Sequence, residues 1–303
     1  MIVKYVKLPL YFLLGITLFF LVFQPQTNAQ SEFVSVQANV LNVRSGPGTS
    51  HEIVDKVKEG TILSVVEKFD RWYHVQLTNG RTGWVAKQYV DSLPDIPPSP
   101  ITQPYIAFAS ASKLQDLYGI SLATLQDKTI VIDAGHGGRD KGAVGTSGTY
   151  EKDLTLITSK LLQKRLSTLG AHVVMTRTND QYISLEQRVA LANKKKADAF
   201  ISIHYNSSKD DKLHGIITYY DRHQSLAESI HKELISLTTF DNKEVRHGDY
   251  HVLRENSQPS VLLELGFLSN AHEETQMQTG QFQYNVVTAI VKGLARYFDE
   301  QNT

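Results

Sequence analysis

Two histidines and two glutamates in the C-terminal part of this 303-residue sequence are of the types that metal-assisted hydrolysis uses. His136 lies in Ile132-Asp133-Ala134-Gly135-His136-Gly137-Gly138, and Glu151 opens Glu151-Lys152-Asp153-Leu154. His204 closes Ile201-Ser202-Ile203-His204 ahead of Tyr205-Asn206, and Glu264 sits in Val261-Leu262-Leu263-Glu264-Leu265-Gly266. Two imidazoles and a carboxylate, with one coordination position left to water, form a recurrent catalytic zinc set. A further carboxylate that is not a ligand can serve as base toward that water. The sequence holds no cysteine, which excludes disulfides, thiolate zinc sites, iron–sulfur clusters and cysteine nucleophiles together. Any metal must therefore be held by histidine and carboxylate.

Taken singly, these residues have plainer explanations. A histidine at the end of a strand is ordinarily hydrogen-bonded or exposed, and Glu151 alone reads as favourable charge at a helix N-terminus. Glu264 is harder to explain away, because a carboxylate among Leu262, Leu263 and Leu265 is costly to bury without a partner. The separations of 15, 53 and 60 residues form no short-range metal signature, so spacing alone decides little. The glycine loop does not bind dinucleotides, since the third glycine would fall at Asp140. A Gly-x-Ser-x-Gly nucleophile elbow is absent from the sequence.

The elements expected around these residues alternate between strand and helix. Residues 129–133 form a short apolar run, as for a strand buried on both faces. Leu154, Ile157, Leu161 and Leu162 recur at helical spacing up to Gly170, a C-terminal cap. Residues 171–176 read as a strand, and Ser184 with Gln187 forms a capping box for a helix through Asn193. Residues 199–203, 215–220 and 261–265 are further strands, with helices near 225–237 and 284–298. The pattern predicts an α/β open, mostly parallel sheet flanked by helices, with ligands outside the carboxyl ends of its strands. All four candidate residues then fall at strand ends or in adjoining loops.

With those motifs in hand, residues 128–300 resemble the catalytic domain of zinc-dependent N-acetylmuramoyl-L-alanine amidases. The resemblance rests on the segments at 132–138 and 151–154, on Thr176-Arg177, on Ser202-Ile203-His204-Tyr205-Asn206, and on Leu263-Glu264-Leu265-Gly266-Phe267-Leu268-Ser269-Asn270. It implies one Zn²⁺ bound by His136, Glu151 and His204, with Glu264 catalytic, and cleavage of the amide between N-acetylmuramic acid and L-alanine in peptidoglycan. Arg177 and Asn206 are then candidates for orienting substrate, and Asp133 for holding the second nitrogen of a ligand histidine. The sequence departs from the family pattern at Ala134, where proline is frequent, and at Tyr205, where a small residue is commoner and a tyrosine would narrow the cleft. His247 and His251 stand four apart, but Gly248 breaks the helix that a second metal site would need, so His251 is placed at the cleft edge instead. Two rival readings are a zinc peptidase cutting within the stem peptide and a non-catalytic wall-binding regulator.

Ahead of that region the pattern is different. Residues 35–91 hold short β runs at 36–43, 53–57, 61–67, 72–77 and 82–85, with an Asn79-Gly80 hairpin turn, which predicts a five- or six-stranded small all-β barrel. Leu41-Asn42-Val43-Arg44-Ser45-Gly46-Pro47-Gly48, Trp72-Tyr73-His74-Val75, and Gly83-Trp84-Val85 before Tyr89 resemble the bacterial Src-homology-3-like domains of cell-wall enzymes. The resemblance implies binding to peptidoglycan or its cross-bridge peptides; two of the three aromatics Trp72, Tyr73 and Trp84 are expected in the core. Residues 92–104 form a linker, five of the nine prolines falling there. Residues 105–127 are an approach segment, helical near 113–118.

The N-terminus sets the compartment. Lys4 and Lys7 precede sixteen uncharged residues at 8–23, followed by Thr27-Asn28-Ala29. Sixteen residues rise about 24 Å as helix, short of a ~30 Å hydrocarbon layer. Residues 1–29 therefore read as a secretory signal peptide cleaved after Ala29, or else as an anchor that spans through residues 1–23 with its lysines snorkelling. Either way the folded part is exported, secreted to the cell wall or tethered at the membrane. Acidic and basic residues both number 31, and removing residues 1–29 leaves a net charge near −2. That balance offers no basic face for nucleic acid.

Overall fold

Short β-branched runs broken by turn residues build the first of two sheets. The computed structural model describes residues 33–92 and 122–301. The signal peptide or anchor expected at 1–29, the proline-rich stretch at 93–104 and the helical turn expected near 113–118 lie outside the described residues. Strands β1 (Phe33–Val36), β2 (Val40–Arg44), β3 (Ile53–Lys58), β4 (Ile62–Phe69), β5 (Trp72–Gln76), β6 (Thr82–Ala86) and β7 (Val90–Ser92) pair antiparallel in the order β3-β2-β6-β5-β4-β1-β7. Seven strands replace the five or six expected, because the alternating run at 36–43 breaks in two and the three-residue β7 carries too little pattern to read. The Asn79-Gly80 turn closes the β5–β6 hairpin with Gly80 at φ +76°, a left-handed conformation suited to glycine.

Alternation along these strands decides the fate of the aromatics. Val75 on β5 and Val85 on β6 take the inward positions beside Val34, Val43 and Leu63. Trp72 and Trp84 fall on the other face, and Trp84 stacks flat on His74 with ring centroids 4.8 Å apart. The expectation that two of the three aromatics are core is corrected: all three are half-buried, and only Tyr73 packs against the barrel core. Phe33 and Ile62 also leave the barrel's own core, and both join the apolar layer of the second sheet.

That second sheet has six strands in the order β12-β11-β13-β10-β8-β9, formed by β8 (Thr129–Ala134), β9 (His172–Met175), β10 (Ala199–Asn206), β11 (Ile216–Tyr220), β12 (Asn242–His247) and β13 (Ser260–Phe267). Every neighbouring pair is parallel except β11 with β13. One face carries α1 (Glu151–Thr168), α3 (Gln224–Leu237) and α6 (Gly280–Glu300); the other carries α2 (Leu185–Lys195) and the short α4 (His251–Arg254). A further short helix, α5 (Ala271–Met277), leads into α6. Strands β8, β10 and β13 are buried on both faces: Ile130 and Ile132 pack toward α1, while Val131 packs toward α2.

Local signals act where the sequence places them. Gly170, at φ +87°, follows the end of α1, and Ser184 and Gln187 close a reciprocal capping box at the start of α2. The polar edge strand β12 escapes sequence reading because, being mostly exposed, it needs no apolar run. Among the described residues no helix is long and apolar enough to cross a membrane. Replacing Ser184 by alanine removes the acceptor for the Gln187 N–H. Urea unfolding of Ser184→Ala is expected to show a loss of about 1 kcal/mol with an unchanged m-value.

Candidate active site

The carboxyl ends of β8, β10 and β13 converge on one point, and α1 begins there. Beyond β8 the chain turns sharply: His136, Gly137 and Gly138 all have positive φ, at 61°, 125° and 60°. A left-handed histidine costs on the order of 1 kcal/mol or more and persists only where its surroundings enforce it. Gly135 is required for a different reason, since a Cβ there would lie 2.4 Å from the His204 ring. His204 and Glu264 are register partners across the parallel β10–β13 ladder.

Glu151, the first residue of α1, joins the two histidines. Its Oε1 lies 3.0 Å from His136 Nε2 and 2.9 Å from His204 Nδ1, and it accepts the Tyr205 N–H at 3.1 Å. Its Oε2 accepts the Ala143 N–H at 2.8 Å. One ligand atom from each of His136, Glu151 and His204 lies within 4.8 Å of the others, as in a site that could hold a metal ion. His136 Nδ1 is paired with Asp140 Oδ2 at 2.9 Å, which leaves Nε2 turned to the cluster.

Burial by itself would disfavour every charge here, and the pairing reverses it. Burial would lower the His136 ring, but hydrogen bonds and charge from Glu151 and Asp140 raise it to about 9. Burial would likewise raise the Glu151 carboxyl, yet the two imidazoles hold it well below the usual carboxylate range. Glu264 is the exception. Burial and the Glu151 charge together push it up to about 7 against the opposing pull of His204 and His136. Its Oε2 is buried with no hydrogen-bond partner.

These groups line a cleft of about 620 Å³, walled by Tyr182, Ile183 and Leu185 on one side and Tyr250, His251 and Val252 on the other. Residues 130–296 match the family model for N-acetylmuramoyl-L-alanine amidase, and residues 39–91 match a bacterial SH3 domain. The chain belongs to the N-acetylmuramoyl-L-alanine amidase family. It is 34% identical over 261 residues to the "Probable cell wall amidase LytH" of Staphylococcus aureus, covering 84% of this chain and 81% of that one. It is 36% identical over 273 residues to the longer Bacillus subtilis protein YrvJ, covering 85% of this chain but only 48% of YrvJ. The catalytic domain of CwlV from Bacillus (Paenibacillus) polymyxa matches with a TM-score of 0.55 at 41% identity, over 57% of this chain and 98% of that domain. An amidase from Clostridium difficile 630 matches with a TM-score of 0.56 at 36% identity, over 58% and 99% of the respective chains. The domain built on the second sheet is thus an amidase of the bond between N-acetylmuramic acid and L-alanine.

The amidase domain sets some of the remaining candidates at the cleft and gives others different partners from those expected. Asn206 lines the cleft and accepts the Ser207 N–H on its own Oδ1. Arg177, expected to orient substrate, is buried and spends its guanidinium on the Ala134, Gly135 and Lys152 carbonyls and the Thr155 hydroxyl. It braces the glycine loop from below and does not reach the cleft. Asp133, expected behind a ligand histidine, instead accepts from Thr176, Ser202 and Arg188 at 2.6–2.8 Å. Its oxygens are committed to those three donors, and Asp140 takes the expected place on His136. Tyr205, expected to narrow the cleft, borders it, while strand alternation carries its hydroxyl into the opposite layer, where it meets Thr158 and Gln283. His247 pairs with Asp221 beside β12, whereas His251 does line the cleft.

Sequence reasoning missed Arg188. Its guanidinium ties the Asp133 carboxylate to the Ala134 and His136 carbonyls, fixing the turn that presents His136. The signal was present: an arginine between Leu185, Val189 and Ala192 lies on the apolar face of α2. Burial would raise Asp133, and Arg188 with Thr176 overrides this and holds its carboxyl below the usual range. Removing the cation leaves a buried carboxylate with two hydroxyl donors and no countercharge. Arg188→Leu is expected to cost about 3–5 kcal/mol in denaturant unfolding, with partial recovery when Asp133→Asn is added.

Proposed function

We propose that His136, Glu151 and His204 hold a zinc ion and that Glu264 is the general base and acid of amide hydrolysis. The donor chemistry supports this reading, since two imidazole nitrogens and one carboxylate oxygen gathered within 4.8 Å are a borderline set that suits zinc. The observation that carries the role of Glu264 is its buried Oε2 without a partner, in a carboxylate raised to about 7 beside the three ligands. Buried carboxylates of structural duty are ordinarily paired. When bound, zinc would supply a Lewis acid that polarises the amide carbonyl and makes water more acidic.

The chain's own residues do the rest. Glu264 takes a proton from the attacking water as the new oxygen–carbon bond forms. It then delivers that proton to the L-alanine nitrogen as the carbon–nitrogen bond breaks, leaving free muramic carboxylate and a free amine. Asp140 keeps His136 in the tautomer and orientation that turn Nε2 to the cluster. Asn206, at the cleft wall beside His204, is the side chain we assign to contact the substrate's amide groups. The β1–β7 barrel carries a groove of about 830 Å³ lined by Phe69, Trp72, Tyr89, Arg44 and Arg71, whose aromatic and cationic surface suits peptidoglycan peptides. We read residues 1–29 as the leader that exports the chain to the wall.

The decisive experiment incubates residues 30–303 with purified peptidoglycan, with and without chelator, and identifies the newly freed amino terminus by mass spectrometry. New N-terminal L-alanine, abolished by chelator and restored by zinc, is the expected outcome; a different freed amine would make the enzyme a stem-peptide peptidase. Glu264→Gln is expected to lower kcat by about 100- to 10,000-fold while leaving zinc content unchanged.

The pH profile supplies a separate check. Glu264 must be ionised to accept a proton, so kcat/KM falls as pH drops through its pKa. That limb is expected at or below pH 7, because a bound divalent cation favours the carboxylate over its value of about 7. A limb that stayed in place in a Glu264→Gln variant of measurable activity would assign the titration to another group.

A further inference from the structure

The barrel and the amidase sheet are parts of one compact unit, and they meet at the start of the helix that carries Glu151. The N-terminal residue flanking α1, Tyr150, has no side-chain cap to offer. The N–H groups of Glu151 and Lys152 go to the Ala143 and Lys141 carbonyls, and the N–H of Tyr150 goes to the carbonyl of Thr78 in the barrel at 3.0 Å. The Thr78 hydroxyl donates in turn to Gln278 Oε1 at 2.8 Å, at the junction between α5 and α6. The same junction pairs with the barrel's β3–β4 turn: the Ile62 N–H meets the Gln278 carbonyl at 3.1 Å, and the Gly280 N–H meets the Gly60 carbonyl at 3.0 Å.

The circuit closes through α5. Glu274 accepts the Ser147 N–H and hydroxyl, and also pairs with Thr146, in the loop that leads back to Tyr150. Glu274 is buried, and a Cβ at Gly145 would lie 2.1 Å from its Oε1, so loop and carboxylate are closely fitted. Phe33 and Ile62 anchor the arrangement by burying their side chains in the amidase layer. We propose that the barrel is a positioning element of the metal site: through Thr78 and the α5–α6 junction it fixes the first turn of α1, and so the Glu151 ligand. This inference rests on the zinc reading given above. It differs from a tethering role, in which the barrel would concentrate the enzyme on the wall and leave the site indifferent to it.

Undocking can be tested without dismantling the barrel, because Ile62 and Phe33 lie outside the barrel's own core. In the full chain, Ile62→Ser removes an apolar anchor, and Thr78→Val removes only the hydroxyl bond to Gln278. Three quantities are measured for each: zinc affinity by competition with a chromophoric chelator, kcat and KM on a soluble N-acetylmuramoyl-L-alanyl peptide, and retention on purified peptidoglycan. Ile62→Ser is expected to weaken zinc binding about tenfold and lower kcat on the soluble peptide, with KM and wall retention nearly unchanged. Thr78→Val is expected to shift zinc affinity in the same direction by roughly threefold, and it decides the matter if Ile62→Ser does not fold. Zinc affinity and soluble-peptide turnover equal to the parent chain's would overturn the proposal and leave the barrel a tether. A parent chain that binds no zinc would overturn both this inference and the reading on which it stands.

Discussion

One carboxylate holds the site together. Glu151 touches both histidines with a single oxygen and anchors the other on the Ala143 N–H, so three separate chain segments meet on one side chain. It stands at the first position of an 18-residue helix, where the backbone dipole favours negative charge. Placing it there makes the position of His136 and His204 depend on where α1 begins. The surrounding glycine, loop and barrel contacts can be understood as constraints on that point.

Beneath the cluster lies a second set of buried charges with a different task. Arg188 and Arg177 together satisfy the carbonyls of Ala134, Gly135 and His136, a stretch whose backbone follows no regular pattern. Without those guanidinium groups the Ala134 and His136 carbonyls would lose their arginine donors, Gly135 keeping only the Thr155 hydroxyl, and the left-handed turn at His136 would lose its brace. Asp133 supplies the compensating charge for Arg188. The strain at His136 is therefore sustained by two arginines contributed from elsewhere in the sequence, one following β9 and one on α2.

Much of this was legible in the sequence. The four cluster residues stand in local motifs, and a carboxylate within an apolar strand announces itself by its cost. The α/β alternation and the capping box were equally readable, since both are local chemistry. Side-chain direction was harder to read. Arg177 and Asp133 neighbour the motifs in sequence, which suggests the substrate and a histidine as their partners; yet Arg177 is buried outside the cleft, and Asp133, though it lines the cleft, gives its oxygens to Arg188, Thr176 and Ser202. Tyr205 shows a related limit: it borders the cleft beside His204, yet strand alternation carries its hydroxyl into the opposite layer. Docking between the barrel and the amidase domain runs largely through backbone groups, as at Thr78, Gly60 and Gly280, and such contacts leave no trace in residue type.

The buried carboxylates separate structural from chemical duty. Glu233 is held by Lys292 and Arg296, Glu273 by the N–H groups of Gly215 and Phe267, Glu274 by Thr146 and Ser147, and Asp133 by Arg188, Thr176 and Ser202. Each is held in the interior by neighbours that supply donors, which is what allows a cysteine-free chain to clamp its loops without disulfides. Two buried carboxylates keep an oxygen without a partner among the described residues, those of Glu264 and Asp153. Asp153 faces the Gly80 turn of the barrel, away from the cleft. Glu264 lines the cleft and stands next to His136, Glu151 and His204. Of the two acids left short of donors, only the one at the cleft stands where a proton could pass to and from a bound substrate, which is why the proposed base is Glu264 and not Asp153.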